Sequence, residues 1–483
     1  MRRPIHLAAA IMLILCVLHA SYPQRAERLP RPRTTRGGDG KRHTGWETVP
    51  AILKRIRPPK FPARDFQITD YGAVNGADST EAIRKAIEAC HAAGGGRVVV
   101  PAGVFITGAI HLLSNVNLYV SEGGTLKFST DPAKYLPVVY TRFEGTECMN
   151  YSPLIYAFEQ ENIAVTGHGT LDGSASEENW WAWNKRGPGG DSPARGSIRR
   201  LLDFGERGVP VKERVFGSGH YLRPNFIQPY RSRNVLIEGI KIINSPMWEI
   251  HPVLSTNVTV RGVNISSHGP NNDGCDPESC SDVLIEDCVF DTGDDCIAIK
   301  SGRDNDGRRV ATPSENIIVR NCTMKDGHGG VVMGSEISGD CRNVFIENCR
   351  MDSPHLDRAL RFKSNARRGG IVENIYVRNV EIGRVSEAIL TIDFLYETGA
   401  KGTHLPTVRN VELENVKSAS SPRVMFVVSF PGAVIDDVRF LDCTFRGVET
   451  SEVLQSTGSV LFKNVTIEPA NKGRSINSRQ NWP

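Results

Sequence analysis

Four short polar segments in the middle of this chain carry the residue types that acid–base chemistry needs. They are Asn271-Asn272-Asp273, Gly293-Asp294-Asp295, Gly327-His328-Gly329 and Arg361-Phe362-Lys363, each in a turn-like stretch between short apolar runs. One protonated carboxyl can donate to a leaving group while an ionised one activates water, and Arg and Lys beside them can bind an anionic substrate. A single Gly-Asp or Asp-Gly pair is ordinarily a turn and nothing more. Two adjacent aspartates are harder to explain that way, because like charges repel without a use for them. Function requires that all four segments meet, and that depends on the elements around them.

Those elements repeat. Copies begin at Asn234, Asn257, Asp282, Asn316, Asn343, Asn374, Asn410 and Asp437, at intervals of about 23 to 36 residues, a spacing typical of stacked repeats. Within a copy, apolar residues sit at offsets 1, 3, 6 and 8, as in Val283, Ile285, Cys288 and Phe290, or Ile317, Val319, Cys322 and Met324. Residues two apart in a strand share a face, so the change of parity between offsets 3 and 6 demands a corner between two short strands. Offset 5 is Gly239, Gly262, Asp287, Asn321, Asn348, Asn379, Asn415 and Asp442, the residue types that enter the left-handed region at least cost. Strand, corner, strand at this period predicts an all-β chain: a right-handed parallel β-helix whose core is a stack of inward residues. Asp294 lies twelve residues after Asp282, and His328 twelve after Asn316, so the two share a phase in successive coils. At the inter-strand spacing of about 4.8 Å they are expected side by side on the outside, with Asp273, Arg361 and Lys363 extending the row.

The rest of the chain serves that helix. Met1 to Ala20 reads as a signal peptide, with Arg2-Arg3 before an apolar run too short to span a membrane, so export to the periplasm or beyond is expected. Residues 21–60 read as a flexible leader rich in Arg and Pro, and residues 471–483 as a tail, bracketing one catalytic domain over 61–470. Residues 1–60 hold 13 Lys/Arg against 3 Asp/Glu, so a net charge of +4 for the whole chain conceals an acidic body. No groove-reading motif is present, and a nucleic-acid partner is not expected. Ser79–Ala92 is predicted as a helix plugging one end, with Ser79 or Thr80 as N-cap and Ala82, Ile83, Ala86, Ile87 and Cys90 on one face. Cys288, Cys322, Cys349 and Cys443 take offset 6 as small buried apolar groups, while Cys275 and Cys280 are spaced to pair or to stay free. Residues 172–231, with Trp180, Trp181, Trp183, Arg199 and Arg200, break the repeat and are expected to leave the coils, walling off one end of a cleft and offering aromatic platforms.

In this order and at this spacing, the four segments resemble those of glycoside hydrolase family 28, the polygalacturonases, over about Asp65 to Lys463. Asp70-Tyr71-Gly72-Ala73-Val74 and Pro101-Ala102-Gly103-Val104-Phe105 resemble the amino-terminal part of such proteins. The resemblance implies an inverting hydrolase of pectic α-1,4-galacturonosidic bonds. Asp294 is then the general acid, Asp273 and Asp295 activate water, and His328 holds the acid's protonation state. Arg361, Lys363 and Asn271 bind substrate, with no cofactor and no metal. Asn272 stands where the family has Thr, and Phe362 where it has Ile. The excursion resembles that of bacterial exo-acting members, so a monomeric exo-polygalacturonase acting on cell-wall pectin is expected. The alternatives are an endo-polygalacturonase, a rhamnogalacturonan or xylogalacturonan hydrolase, a calcium-dependent pectate lyase, and a non-catalytic carbohydrate-binding β-helix.

Overall fold

The chain winds through three parallel sheets, and the order of strands within each follows the order of the chain, so every coil adds one rung. The computed structural model describes residues 45–187, 190–450, 452–454 and 458–470; the expected signal peptide and tail lie outside them. The first sheet has thirteen strands, from Asp65–Gln67 to Val460–Lys463, and the second has twelve, from Gly103–Thr107 to Thr466–Pro469. A third face begins with Ile110–His111, Ile155–Phe158 and Ile227–Tyr230. It continues through single bridges at Ile250 and Cys275 to a six-stranded sheet running from Ile297–Ile299 to Val453–Leu454. The result is the right-handed parallel β-helix that the repeat predicted.

Register explains why. Val258, Val283, Ile317, Val344, Ile375, Val411 and Val438 pair in sequence across the first sheet, each fully buried. At about 1.5–3 kcal/mol per buried branched side chain, such stacks are the main stabilising term. All eight corner residues at offset 5 have positive φ, from 50° at Asn415 to 76° at Gly239. The residue that opens each copy is left-handed too, which the apolar pattern did not reveal. Its pairing is skipped: Arg233 pairs with Thr256 and Val235 with Val258, leaving Asn234 and Asn257 out. Freed from the strand ladder, these asparagines form one of their own, Asn257 Nδ2 donating to Asn234 Oδ1 at 2.7 Å and Asn410 Nδ2 to Asn374 Oδ1 at 2.6 Å. The offset-6 thiols are buried, and Cys288 Sγ donates to the Glu286 carbonyl at 3.2 Å. Cys275 and Cys280 are both free.

Three features depart from expectation. The helix is Thr80–Ala92 with Ser79 at the N-cap, but Asp78 Oδ1 accepts from the Thr80 N–H at 2.9 Å while Ser79 makes no side-chain cap bond. Residues 45–60 of the supposed flexible leader pack on the β-helix. Trp46–Thr48 and the helix Val49–Arg55 bury Trp46, Val49, Ile52 and Ile56 on Leu284, Ile318, Phe345 and Tyr376, outward-facing residues of the first sheet. Arg378 stacks on Trp46 at 3.8 Å, and Arg55 grips Asp282 at 2.5 and 2.9 Å. Finally, residues 172–231 leave the coil as expected but contain a helix, Pro193–Glu206, and do not act alone. Val215–Phe216 joins an antiparallel hairpin, Val139–Phe143 with Thr146–Asn150, and Arg214 meets Asp306 of the helix Asp304–Val310 at 2.7 Å.

Candidate active site

The first three polar segments fall at the turn from the second sheet into the third face, where the rung spacing continues through backbone hydrogen bonds, and Arg361-Phe362-Lys363 lies in the third-face strand Arg358–Lys363. The Asp294 N–H donates to the Asn272 carbonyl at 3.3 Å, and the His328 N–H to the Asp294 carbonyl at 3.1 Å. One position on, Gly274 donates to Asp295 at 3.0 Å and Cys296 to Gly329 at 2.8 Å. Stacking this close dictates the motif glycines. A Cβ on Gly327, at φ 146°, would lie 2.4 Å from the Asp294 carbonyl, and one on Gly293 would lie 2.6 Å from that of Gly269. Asn272 is fully buried and holds the turn: its Oδ1 accepts from Ser267 Oγ at 2.7 Å and from the Gly269 N–H at 2.8 Å. Phe362 points into the core, so neither departure from the family pattern reaches the polar strip.

Asp273, Asp294 and Asp295 are brought together, one oxygen of each lying within 4.8 Å of the others. His328 Nδ1 is 3.3 Å from Asp294 Oδ1. Lys363 Nζ donates to Asp295 Oδ2 at 2.6 Å, and Arg361 is 3.7 Å from Asp295 Oδ1. Both cations also lie over the Tyr396 ring. Asn271 sits at the edge, accepting from Arg223 of the excursion at 2.6 Å. Asp294 is the most exposed of the three carboxylates, at 20% of its side chain, against 4% for Asp273 and none for Asp295. Asp273 Oδ1 and Asp295 Oδ1 have no hydrogen-bond partner within the protein, so two buried acceptors remain available to a water.

The carboxylates hold their protons unequally, as acid and base roles require. Burial pushes Asp273 well up, helped by the charges of Asp276 and Asp294. Burial would raise Asp294 as well, but the hydrogen bond to His328 and the charge of Lys363 overcome it and hold the group at about 2. His328 is correspondingly raised by its bond to Asp294. Burial and neighbouring charge thus push Asp273 and Asp294 in opposite directions, and Asp294 and His328 favour each other's charged forms. These groups titrate as one set. The three carboxylates are close enough to share a cation, but Lys300, Lys363, Arg361 and His328 already supply the positive charge there.

Sequence reasoning missed the groups behind this strip. Lys300 is 3.4 Å from Asp273, 3.6 Å from Asp276 and 3.4 Å from Glu336, with Trp248 under its ammonium at 4.3 Å. The signal available was a lysine ending the apolar run Cys296–Ile299. The hairpin tip Glu144-Gly145 arrives from far off in sequence: Arg303 N–H donates to the Gly145 carbonyl at 3.0 Å, and Arg303 reaches Glu144 at 3.1 Å. A Cβ on Gly145 would fall 2.7 Å from the Glu336 side chain, so the tip packs directly against the groups around the carboxylates. The tryptophans behave differently from expectation. Trp180 is buried on Tyr135 and Trp183, and Trp181 donates to the Ser245 carbonyl at 2.8 Å, leaving half-buried Trp183 edge-on to the exposed Tyr221. Arg200 stacks on Phe204 and Phe216, and Arg199 is 3.8 Å from Asp191, so their recorded partners lie within the excursion.

Residues 217–466 match the profile of Glycosyl hydrolases family 28. The crystal structure of an exopolygalacturonase from Thermotoga maritima is similar at 47% identity, with a TM-score of 0.85 over 88% of this chain and 96% of that one. An exo-poly-alpha-D-galacturonosidase of Dickeya chrysanthemi is 27% identical over 85% of this chain and 72% of its own. An endo-polygalacturonase of Pectobacterium carotovorum subsp. carotovorum is also 27% identical, over 86% of this chain and 92% of its own.

Proposed function

We infer that this chain, which belongs to the glycosyl hydrolases family 28, is an exported exo-polygalacturonase that hydrolyses α-1,4-galacturonosidic bonds from the chain end, with inversion. The observation that carries the reading is the stack of Asp273, Asp294 and Asp295 with Arg361 and Lys363 reaching Asp295 from two rungs further on. Arg361 and Lys363 bind the galacturonate carboxylate. That carboxylate cancels the charge of Lys363, one of the causes holding Asp294 low, and so draws a proton onto Asp294. With Asp294 neutral, one of the charges that raise Asp273 is gone, and Lys300 beside it favours the ionised form. Substrate binding thus turns the free-state pattern into the working one: Asp294 an acid facing the glycosidic oxygen, Asp273 and Asp295 bases for the attacking water. His328 fixes Asp294 in place through Nδ1.

Inverting pairs are usually separated by roughly 6.5–9.5 Å, wider than the nearest oxygens here. A retaining mechanism, however, needs one carboxylate free to attack the sugar as nucleophile. Asp295 is buried and pinned by Lys363, and Asp273 is buried beside Lys300, which favours attack by a water between their open oxygens. Chain-end action is supported by the 47%-identical exo-acting relative and by the wall that Glu144, Arg303 and Arg223 build against the carboxylates. No helix among the described residues is long and apolar enough to cross a membrane. Digestion of polygalacturonate tests the reading. Monogalacturonate should appear first, with saturated ends and little early loss of viscosity. A rapid fall in viscosity means endo action, and unsaturated ends mean a lyase.

A further inference from the structure

Lys300 stands among three carboxylates, none of them close enough to claim it alone. Its Nζ is 3.4 Å from Asp273 Oδ2, 3.6 Å from Asp276 Oδ2 and 3.4 Å from Glu336 Oε2, and only 3% of the side chain is exposed. Glu336 has a second cation within reach, Arg303 at 3.8 Å. Asp276 has no hydrogen-bond partner within the protein at either oxygen, and Asp273 has none at Oδ1. Trp248 lies beneath the ammonium at 4.3 Å and limits where it can move.

We propose that Lys300 is a positioning residue for the hydrolytic step, holding Asp273 as an aimed carboxylate so that its free oxygen can take the proton of the attacking water. This rests on the hydrolase reading above. A buried pair of aspartates on one coil, Asp273 and Asp276, cannot both ionise beside Asp294 and Asp295 without a cation. Among the described residues, Lys300 is the one ammonium within 4 Å of Asp273, so its charge decides whether Asp273 can act as a base. Burial pushes Asp276 up to about 8 despite Lys300. The charged groups facing Asp273 are Asp276 on its own coil, Asp294, Asp295 and Lys300 from the next coil, and Arg223 from the excursion. Glu249 of the preceding coil donates its N–H to the Asp273 carbonyl.

The test compares Lys300→Met, Lys300→Arg and Asp276→Asn with wild type in kcat, KM, the pH profile of kcat/KM and thermal unfolding. Lys300→Met should lower kcat about 100-fold with KM changed less than about threefold, and move the acidic limb to higher pH by about one unit. Lys300→Arg should restore most of the rate and return the limb. Asp276→Asn replaces a carboxyl that burial pushes up to about 8 with a neutral amide, so it should leave the acidic limb where it is. A folded Lys300→Met enzyme with an unmoved limb overturns the proposal. If that variant does not fold, Lys300→Gln, which keeps polar contact with the three carboxylates but carries no charge, takes its place, and an unmoved limb there overturns the proposal. An enzyme inactive on polygalacturonate but active on another glycan refutes the substrate reading, and the same limb shifts, measured on that glycan, decide the role of Lys300.

Discussion

Asp294 differs from its two acidic neighbours in one physical respect: it is the carboxylate that solvent and substrate can reach. Asp294→Asn keeps the shape and the His328 contact but removes the transferable proton. It should lower kcat by about 10²–10⁴-fold with KM nearly unchanged, read from steady-state kinetics on oligogalacturonates. His328 is raised above 6.5 by Asp294, so the imidazolium persists above that pH and is lost as pH rises further. Arg361 touches Asp295 only at 3.7 Å, and its Nε has no partner, so its guanidinium has capacity left for a ligand. Arg361→Gln should raise KM for polygalacturonate about tenfold or more and narrow the preference for free over methyl-esterified substrate, since the ester carries no charge to bind.

At the scale of elements, the hairpin Val139–Phe143/Thr146–Asn150 is held by one buried carboxylate. Glu147 accepts from Tyr230 and from Tyr140 at 2.8 Å, and pairs with Arg309 at 2.5 Å and Arg142 at 3.7 Å. Burial alone would raise its pKa, but Arg142 and these hydrogen bonds bring it to about 2, below the ordinary 4.5. A depressed carboxyl contributes stability that is complete above about pH 4.5 and is lost as pH falls towards 2. Glu147→Gln should therefore cost about 3 kcal/mol at neutral pH and flatten the pH dependence of denaturant unfolding between those limits. The segment Trp46–Arg55 offers a contrasting case, remote from the chemistry. Trp46→Ala should lower stability by about 2–4 kcal/mol, seen as a lower Tm, with kcat unchanged. Its docking site was partly legible. Offset 2 of the repeat should face solvent, yet Leu284, Ile318, Phe345 and Tyr376 occupy it, and an apolar row on an outer face implies a cover. The spacing of Trp46, Val49, Ile52 and Ile56 matches one side of a helix, but the charge and proline around them concealed it.

For the whole molecule, stacking converts distance along the chain into distance in space at one rung per copy. That is why four motifs spread over some ninety residues make one site, and why insertions between rungs can build a wall without disturbing them. The stereochemical prediction belongs here, because it depends on the cluster as a unit. Proton NMR of the first turnovers should show the β-anomer released from α-linked substrate, and the α-anomer would mean that Asp273 or Asp295 attacks the sugar directly.

By itself the sequence determined the coil and the strip. A left-handed corner admits few residue types and an inward stack admits only apolar ones, so Asn321 or Val319 is nearly forced by local geometry. Once the period is known, Asp294 and His328 must be neighbours. Only the tertiary structure decided what surrounds them: Lys300 behind Asp273, Glu144 on its hairpin, Arg223 from the excursion, and Trp46 on the far face. These contacts join segments whose positions no period links, and their residues look ordinary until burial gives them partners. The opposite shifts of Asp273 and Asp294 belong to the same class, because they are set by depth and by neighbouring charge rather than by the identity of an aspartate.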